Sequence, residues 1–537
     1  MTSNAVDVDP REKRMPRSIP ARAARPLALT AVAVAALVAA GLSPLPAFAA
    51  NDVLGDGTTL YADPHSTTLE AASGLNGEAR YDAQLLGSFP SATWLTKGTP
   101  AEVQQAASVT ATAATAAGQV PTFVVYDLPY RDCSQYSAGG AADTAAYEAW
   151  IDGVAAGIGS AKAAIMLEPD GLGIIPWYTT NQNVKEWCQP ADADAATAAA
   201  DRFAQLNYAV DALTALPNTA VYLDGTHSGW LSVGDITDRL VKAGVAKTDG
   251  FFLNASNYVT TDRLTKYGTW ISDCLALTTS VSWWNAGWCA SQYYPADPND
   301  FSTWTATDDK YATDMAGAGL VQDAATQKHF VIDTSRNGQG AWSPPAWNGD
   351  IEAWCNPPDR GAGLRPSTST GNPFIDAYLW IKVPGESDGQ CYRGTGGPTD
   401  PIRGIEDPAA GQWFPQQARE LIASASPTFA PVGCHVAYSA TKPLFGVFAG
   451  GIAITNLGQA PLKSWTLSWN WAGSEKLVTV VGGVKSQAGD AAAITSGRLT
   501  GSVKAGGKTA VAFLAKGAST RVEPWLFRVN GQPCSSD

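Results

Sequence analysis

The sequence is poor in charge, in histidine and in methionine. Of its 537 residues, 16% are charged, with 4 His and 4 Met, and the 36 Lys and Arg are outnumbered by 49 Asp and Glu. A net charge of −13 argues against nucleic acid or an anionic membrane as partner, because both demand a basic face. Cys-Cys or Cys-His pairs at zinc spacing are lacking, so no metal and no cofactor are expected. The absence of Gly-x-Ser-x-Gly and His-Glu-x-x-His removes lipase-type and metalloprotease chemistry. Long apolar runs are equally scarce. The one at Leu27–Leu42 is short for a membrane span, follows Arg11, Lys13, Arg14, Arg17, Arg22 and Arg25, and precedes Ala47-Phe48-Ala49. That order is a secretory signal, so residues 1–49 are expected to be removed and the mature chain to be extracellular.

What is present in excess is aromatic: 19 Trp and 17 Tyr. Such rings either pack cores or stack on the apolar C–H faces of sugars. The 8 Cys of a secreted chain read as disulfides, with about a hundred conceivable pairings. Cys434 and Cys534 bracket the C-terminal stretch and are expected to close a separate domain, and Cys274 and Cys289 share one Trp-rich segment and are expected to pair locally.

From Thr122 onward, apolar runs alternate with helical patterns. The runs are Thr122–Tyr126, Ala163–Leu167, Ala220–Leu223, Gly250–Leu253, His329–Ile332 and Ala377–Ile381. Candidate helices are Tyr147–Ile158, Ala195–Leu216, Ile236–Ala243 and Gln416–Ala425. This alternation predicts an α/β domain with a parallel sheet, open or closed into a barrel. Polar residues gather just after the runs: Asp132, Asp170, Asp224, Asn257, Arg336, then Lys382 with Glu386 and Asp388. Strand C-terminal ends build the site in α/β barrels, so these residues predict an enzyme with a polar cleft. Two long connections interrupt the pattern: 260–328, read as an ordered stapled insertion, and the Gly/Pro-rich 391–412, with lids or cleft walls the usual role of such loops. Past 426–432, a short linker, period-two alternation in Gly451–Asn456 and Trp465–Trp471 predicts a small all-β sandwich over 433–537.

Two stretches carry the chemistry. Ala163–Leu167 stops at Glu168-Pro169-Asp170, and Thr122–Tyr126 at Asp127-Leu128-Pro129-Tyr130-Arg131-Asp132-Cys133. These blocks resemble the signatures of glycoside hydrolase family 6. So do Leu223–Trp230, Asp333–Gly338, Glu352–Cys355 and Trp380–Gly389, with the resemblance running from about Leu60 to Ala425 within the domain 50–425. It implies a distorted (β/α) barrel that hydrolyses β-1,4-glucan with inversion. It also implies disulfides Cys133–Cys188 and Cys355–Cys391.

By the same resemblance, Asp170 is the general acid. Asp132 raises its pKa and takes a water proton through a second water, and Asp388 is the other candidate base. Arg131 pairs with a carboxylate in the cleft, and Tyr126 lies under the reacting sugar. Trp94, Asp224, His227, Trp230, Asn257, Trp354, Lys382 and Glu386 bind the glucan. Inversion needs the acid and the base roughly 6.5–9.5 Å apart, with water between. Glu168 is read as tying down backbone or a basic partner rather than touching sugar. An endo-acting, monomeric enzyme is the leading expectation, with a cellobiohydrolase as the alternative. A non-catalytic glucan binder would have lost a carboxylate, and Asp132, Asp170 and Asp388 are all present.

Three departures from the family pattern stand out: Ala138 where some relatives have serine, Val233 where some carry a second Trp, and the 260–328 insertion. The C-terminal region resembles a family 2 carbohydrate-binding module. The three positions expected to be exposed aromatics fall near Leu444, Gly482 and Leu499, with Phe445 beside the first, while two or three of Trp465, Trp469 and Trp471 are expected in the core.

Overall fold

The computed structural model describes residues 52–344, 352–471, 473–517 and 524–536. The signal-like segment and its cleavage site lie outside the described residues. None of the described helices is long and apolar enough to cross a membrane.

Seven parallel strands run in strict sequential order: β1 (Thr93–Leu95), β2 (Thr122–Val125), β3 (Ala163–Leu167), β4 (Thr219–Asp224), β5 (Gly250–Leu253), β6 (His329–Asp333) and β7 (Ile375–Leu379). Side chains alternate across each strand. Phe123, Val125, Ile165, Leu167, Val221 and Leu223 point outward into the core shared with the helices. Val124, Met166, Tyr222, Phe252 and Val331 point inward with the small residues Ala164, Ala220 and Ala377. Both faces are therefore buried, which is why these strands read as continuous apolar runs. The sheet curls until its edges meet: the Ala92 N–H, just before β1, donates to the Trp380 carbonyl just after β7 at 3.0 Å. The indole of Trp94 adds a bond to the Ile381 carbonyl at 2.8 Å. With no ladder between β1 and β7, the result is a distorted, incompletely closed barrel.

Helices α1 (Thr67–Ser73) and α2 (Gly77–Leu86) precede the sheet. The crossovers are α3 (Pro100–Ala117), α4 (Thr144–Ile158), α5 (Ala198–Thr214) and α6 (Val233–Lys242), then α7 (Thr261–Ser280) and α8 (Thr305–Gly317), with α9 (Pro415–Ala423) after β7. β1 and α3 escaped the sequence reading. β1 is three residues long, and α3 is an alanine- and threonine-rich helix with a weak apolar face, started by a Thr99/Glu102 capping box with Pro100 at its first turn. The 260–328 insertion is largely the β5-to-β6 crossover, and α7 and α8 make up about half of it. The span between the two helices is largely irregular, as are residues 318–328, and the Cys274–Cys289 disulfide staples the former to α7.

The C-terminal region forms two five-stranded sheets. Their interior holds Trp465, Trp469 and Trp471, all buried, together with Phe448, Phe513 and Ile454. All four expected disulfides form: Cys133–Cys188, Cys274–Cys289, Cys355–Cys391 and Cys434–Cys534.

Candidate active site

The C-terminal ends of the strands open onto a cleft of about 690 Å³. Of the residues expected there, Trp94, Tyr126, Asp132, Asp170, His227, Trp230, Asn257, Trp354, Lys382 and Asp388 line it. Arg131, Asp224 and Glu386 are not among the lining side chains.

Asp170 leaves β3 after the strand-ending Pro169, with φ +62°, and Asp132 has φ +59°. Aspartate is among the few residues that enter this left-handed region readily. Glu168, also at positive φ, is buried and accepts the backbone N–H groups of Asp127 (3.0 Å) and Leu128 (3.3 Å). It clamps the turn after β2 against the end of β3, which is the backbone role expected of it.

The carboxylates differ in proton affinity. Burial, then the neighbouring charges of Asp224, Asp132 and Asp388, push Asp170 well above the ordinary range, favouring the protonated acid. Burial pushes Asp132 to about 6, although it accepts the Ser137 N–H at 2.6 Å and Arg131 is near. Asp388 goes the other way. Burial would raise it, but the charges of Arg336 and Lys382 outweigh burial and hold it below its usual value. One Arg336 nitrogen donates to both Asp388 oxygens at 2.9 Å, the Asn356 N–H donates at 3.0 Å, and the Tyr258 hydroxyl at 3.1 Å. Its lone pairs are largely taken.

Asp224 differs from expectation: it is buried beneath the site, accepts the Thr226 N–H at 2.9 Å, is raised to about 7 chiefly by burial, and is the charged neighbour that most raises Asp170. Arg131 pairs with a carboxylate as expected, but that carboxylate is Asp127, which is not among the cleft-lining residues. Its guanidinium donates to the carbonyls of Tyr126 (2.6 Å), Thr96 (2.8 Å) and Ser137 (3.0 Å) and lies 4.6 Å over the Tyr126 ring, with Asp127 3.7 Å away as its ion-pair partner. It fixes the Asp132 loop and the tyrosine together. Glu386 accepts a bond from the Thr67 hydroxyl, and burial raises its pKa.

The aromatic walls are ordered by mutual contact. Trp94 meets Tyr126 edge-on at 5.7 Å, His227 leans on Trp230 at 5.9 Å, and Trp354 packs near Tyr136 at 6.1 Å. Burial pushes His227 down to about 4, which favours the neutral ring. The sequence reading missed Trp187, Tyr258 and Trp342, which also line the cleft. Trp187 adjoins Cys188, and Tyr258 follows Asn257 at the end of β5, so strand-end position could have found the tyrosine. Nothing local marks Trp187. Beyond Asp388, the clustered Cys391, Asp400 and Asp407 are already committed: Cys391 to its disulfide, Asp400 to Arg393 at 2.8 Å, and Asp407 to Asn356 at 2.9 Å.

The chain is similar to known proteins. A family model described as "Glycosyl hydrolases family 6" matches residues 56–425, and one described as "Cellulose binding domain" matches 434–534. Endoglucanase A of Thermobispora bispora is 29% identical over 524 residues, covering 91% of this chain and 95% of that protein. The probable 1,4-beta-D-glucan cellobiohydrolase C of Aspergillus fumigatus is 31% identical over 402 residues, covering 70% of this chain and 78% of that one. Among solved structures, the endoglucanase Cel6 of Mycobacterium tuberculosis, in complex with a thio-linked cello-oligosaccharide, is 33% identical with a TM-score of 0.50, covering 70% of this chain and 99% of that one. With its family model spanning the whole barrel and a cleft lined at the strand ends by carboxylates and indoles, the chain belongs to glycosyl hydrolases family 6.

Proposed function

We propose that the protein is a secreted cellulase that cleaves β-1,4-glucan with inversion, acting within chains. The observation that carries this reading is the division of labour among the carboxylates. Asp170 is surrounded by like charge and holds its proton, while Asp388 is held ionised by Arg336 and Lys382. Asp170 delivers its proton to the leaving glycosidic oxygen. Asp132, at about 6, accepts the proton of the attacking water through a second water. Asp388 is too strongly hydrogen-bonded and too acidic to be a good base, and serves by opposing the positive charge that builds on the reacting sugar. Tyr126, held by Arg131 and Trp94, forms the floor under that sugar, and Trp94, Trp230 and Trp354 supply stacking faces along the cleft.

Support for action within chains comes from the 391–412 connection. Arg393 is paired to Asp400 and Arg403 to Glu420 on α9, the connection packs behind the cleft wall with Arg393 over Trp342, and none of its residues is among those lining the cleft. The relative matching over nearly the whole chain is named an endoglucanase. The other reading, a cellobiohydrolase, draws on the similarly related fungal proteins. Viscosity against reducing ends on soluble cellulose separates them: a fast viscosity fall is expected, and a slow fall with cellobiose as main product overturns the endo reading. Early proton NMR should show the α-anomer as first product; the β-anomer contradicts inversion.

A further inference from the structure

Resting on the glucanase reading, we propose that the stapled span between α7 and α8 is a second sugar-binding element: Trp283 and Trp288 form a platform that holds the glucan chain beyond the cleft, past Trp230.

Residues 281–296 contain no charged side chain, yet Trp283 and Trp288 are 62% and 60% exposed. Two free indoles on an uncharged loop cost solubility, and an exposed apolar patch of this kind marks a binding surface. The rings are held rather than loose. Trp284, half-buried against the core, stands between them, 5.7 Å from Trp283 and 6.1 Å from Trp288. Its indole N–H points to the sulfur of Cys289 at 3.4 Å, and the disulfide ties that sulfur to α7. The Asn285 side chain accepts the Gly287 N–H at 2.8 Å and closes the turn that presents Trp288.

The span that carries the platform is anchored beside the cleft on two sides. Gln292 donates to the carbonyls of Ser228 and Leu231, both at 2.9 Å, and the Tyr293 hydroxyl to the carbonyl of Trp230 at 3.0 Å, so the span is clamped to the loop bearing Trp230. On the other side Gly287 lies against Asn181, in the segment that leads to the cleft tryptophan Trp187. Val233, where some relatives place a second indole, is buried at the start of α6. The next residue, Gly234, is so close to the Ala286 carbonyl that an added Cβ would stand 2.3 Å from it. The stapled span thus covers the place where that indole would emerge and brings its own. The occupant fits a neutral, ring-built polymer, because the surface offers flat apolar faces and no charge.

The test uses the full chain carrying Trp283→Ala and Trp288→Ala together. Retention in gels containing hydroxyethyl cellulose should weaken about tenfold, the size of a lost aromatic anchor. KM on the polymer should rise similarly, while kcat on cellotetraose stays within twofold. Trp283→Tyr with Trp288→Tyr should restore most of the retention, because a flat ring suffices. Independently of any variant, N-bromosuccinimide oxidation of the peptide bearing Trp283 and Trp288, followed by mass spectrometry, should slow when hydroxyethyl cellulose is added. Polymer retention unchanged in the alanine variant, or oxidation unaffected by polymer, overturns the platform. A parent protein that cleaves no β-1,4-glucan overturns the functional reading instead, so the two failures are told apart.

Discussion

The cleft and the C-terminal sandwich are both rich in aromatic residues and use them in opposite ways. In the cleft, Trp94, Trp187, Trp230 and Trp354 line open space beside carboxylates. In the sandwich, Trp465, Trp469 and Trp471 are buried, and the surface positions near Leu444, Gly482 and Leu499 present an aliphatic side chain, none, and another aliphatic one. Phe445 is the exposed ring there, at 96%. Aromatic content therefore says little until the side of the backbone is known: the same residue type is a binding face in one region and a packing unit in the other. The module has the strand framework of a cellulose-binding fold, and among the described residues those three positions carry no aromatic ring.

The strongest way to test the contrast is to remove the chemistry from the cleft and leave its walls. Asp170→Asn should lower kcat on unactivated glucan about a thousandfold, within the range of a lost general acid, with oligosaccharide affinity nearly unchanged by calorimetry. Retained turnover would remove Asp170 from the acid role. Next in size is the paired loss of one ring from each region. Trp469→Ala should cost the sandwich about 3–5 kcal/mol in denaturant unfolding and leave hydrolysis of soluble substrate intact. Trp354→Ala, at a partly exposed site, should barely move the unfolding midpoint and raise KM about tenfold. The reverse pattern would break the comparison.

A smaller effect is expected at Asp224, which is buried beneath the cleft. Its charge helps hold the proton on Asp170, so Asp224→Asn should move the alkaline limb of kcat/KM to lower pH. The stability sign follows from the same raised carboxyls. Asp224 (about 7) and Asp132 (about 6) bind protons more tightly folded than unfolded, so their contribution is full below about pH 4 and is lost as pH rises towards 7. Melting temperature should fall across that window, and less steeply in Asp224→Asn. The smallest effect is predicted for Phe445→Ala: retention on crystalline cellulose should change less than twofold, since a lone ring makes a poor platform. A tenfold loss would restore the module as a cellulose anchor.

The amino-acid pattern by itself determined much of this protein. Buried parallel strands must be apolar on both faces, so β3 and β5 were legible to the residue, and polar residues at their ends marked the cleft. β1 was not legible, because three residues carry no period and its place is decided by pairing with β2. Nor could a linear pattern reveal that Asp224 would lie beneath Asp170, or that Arg131 would bond carbonyls chiefly. Residue type gives a side chain its charge, but its partner is chosen by which strand ends the curled sheet brings together. The division between a protonated Asp170 and an ionised Asp388 is likewise tertiary. Both are aspartates following apolar strands, and only the company of Asp224 and Asp132 for one, and of Arg336 and Lys382 for the other, separates them.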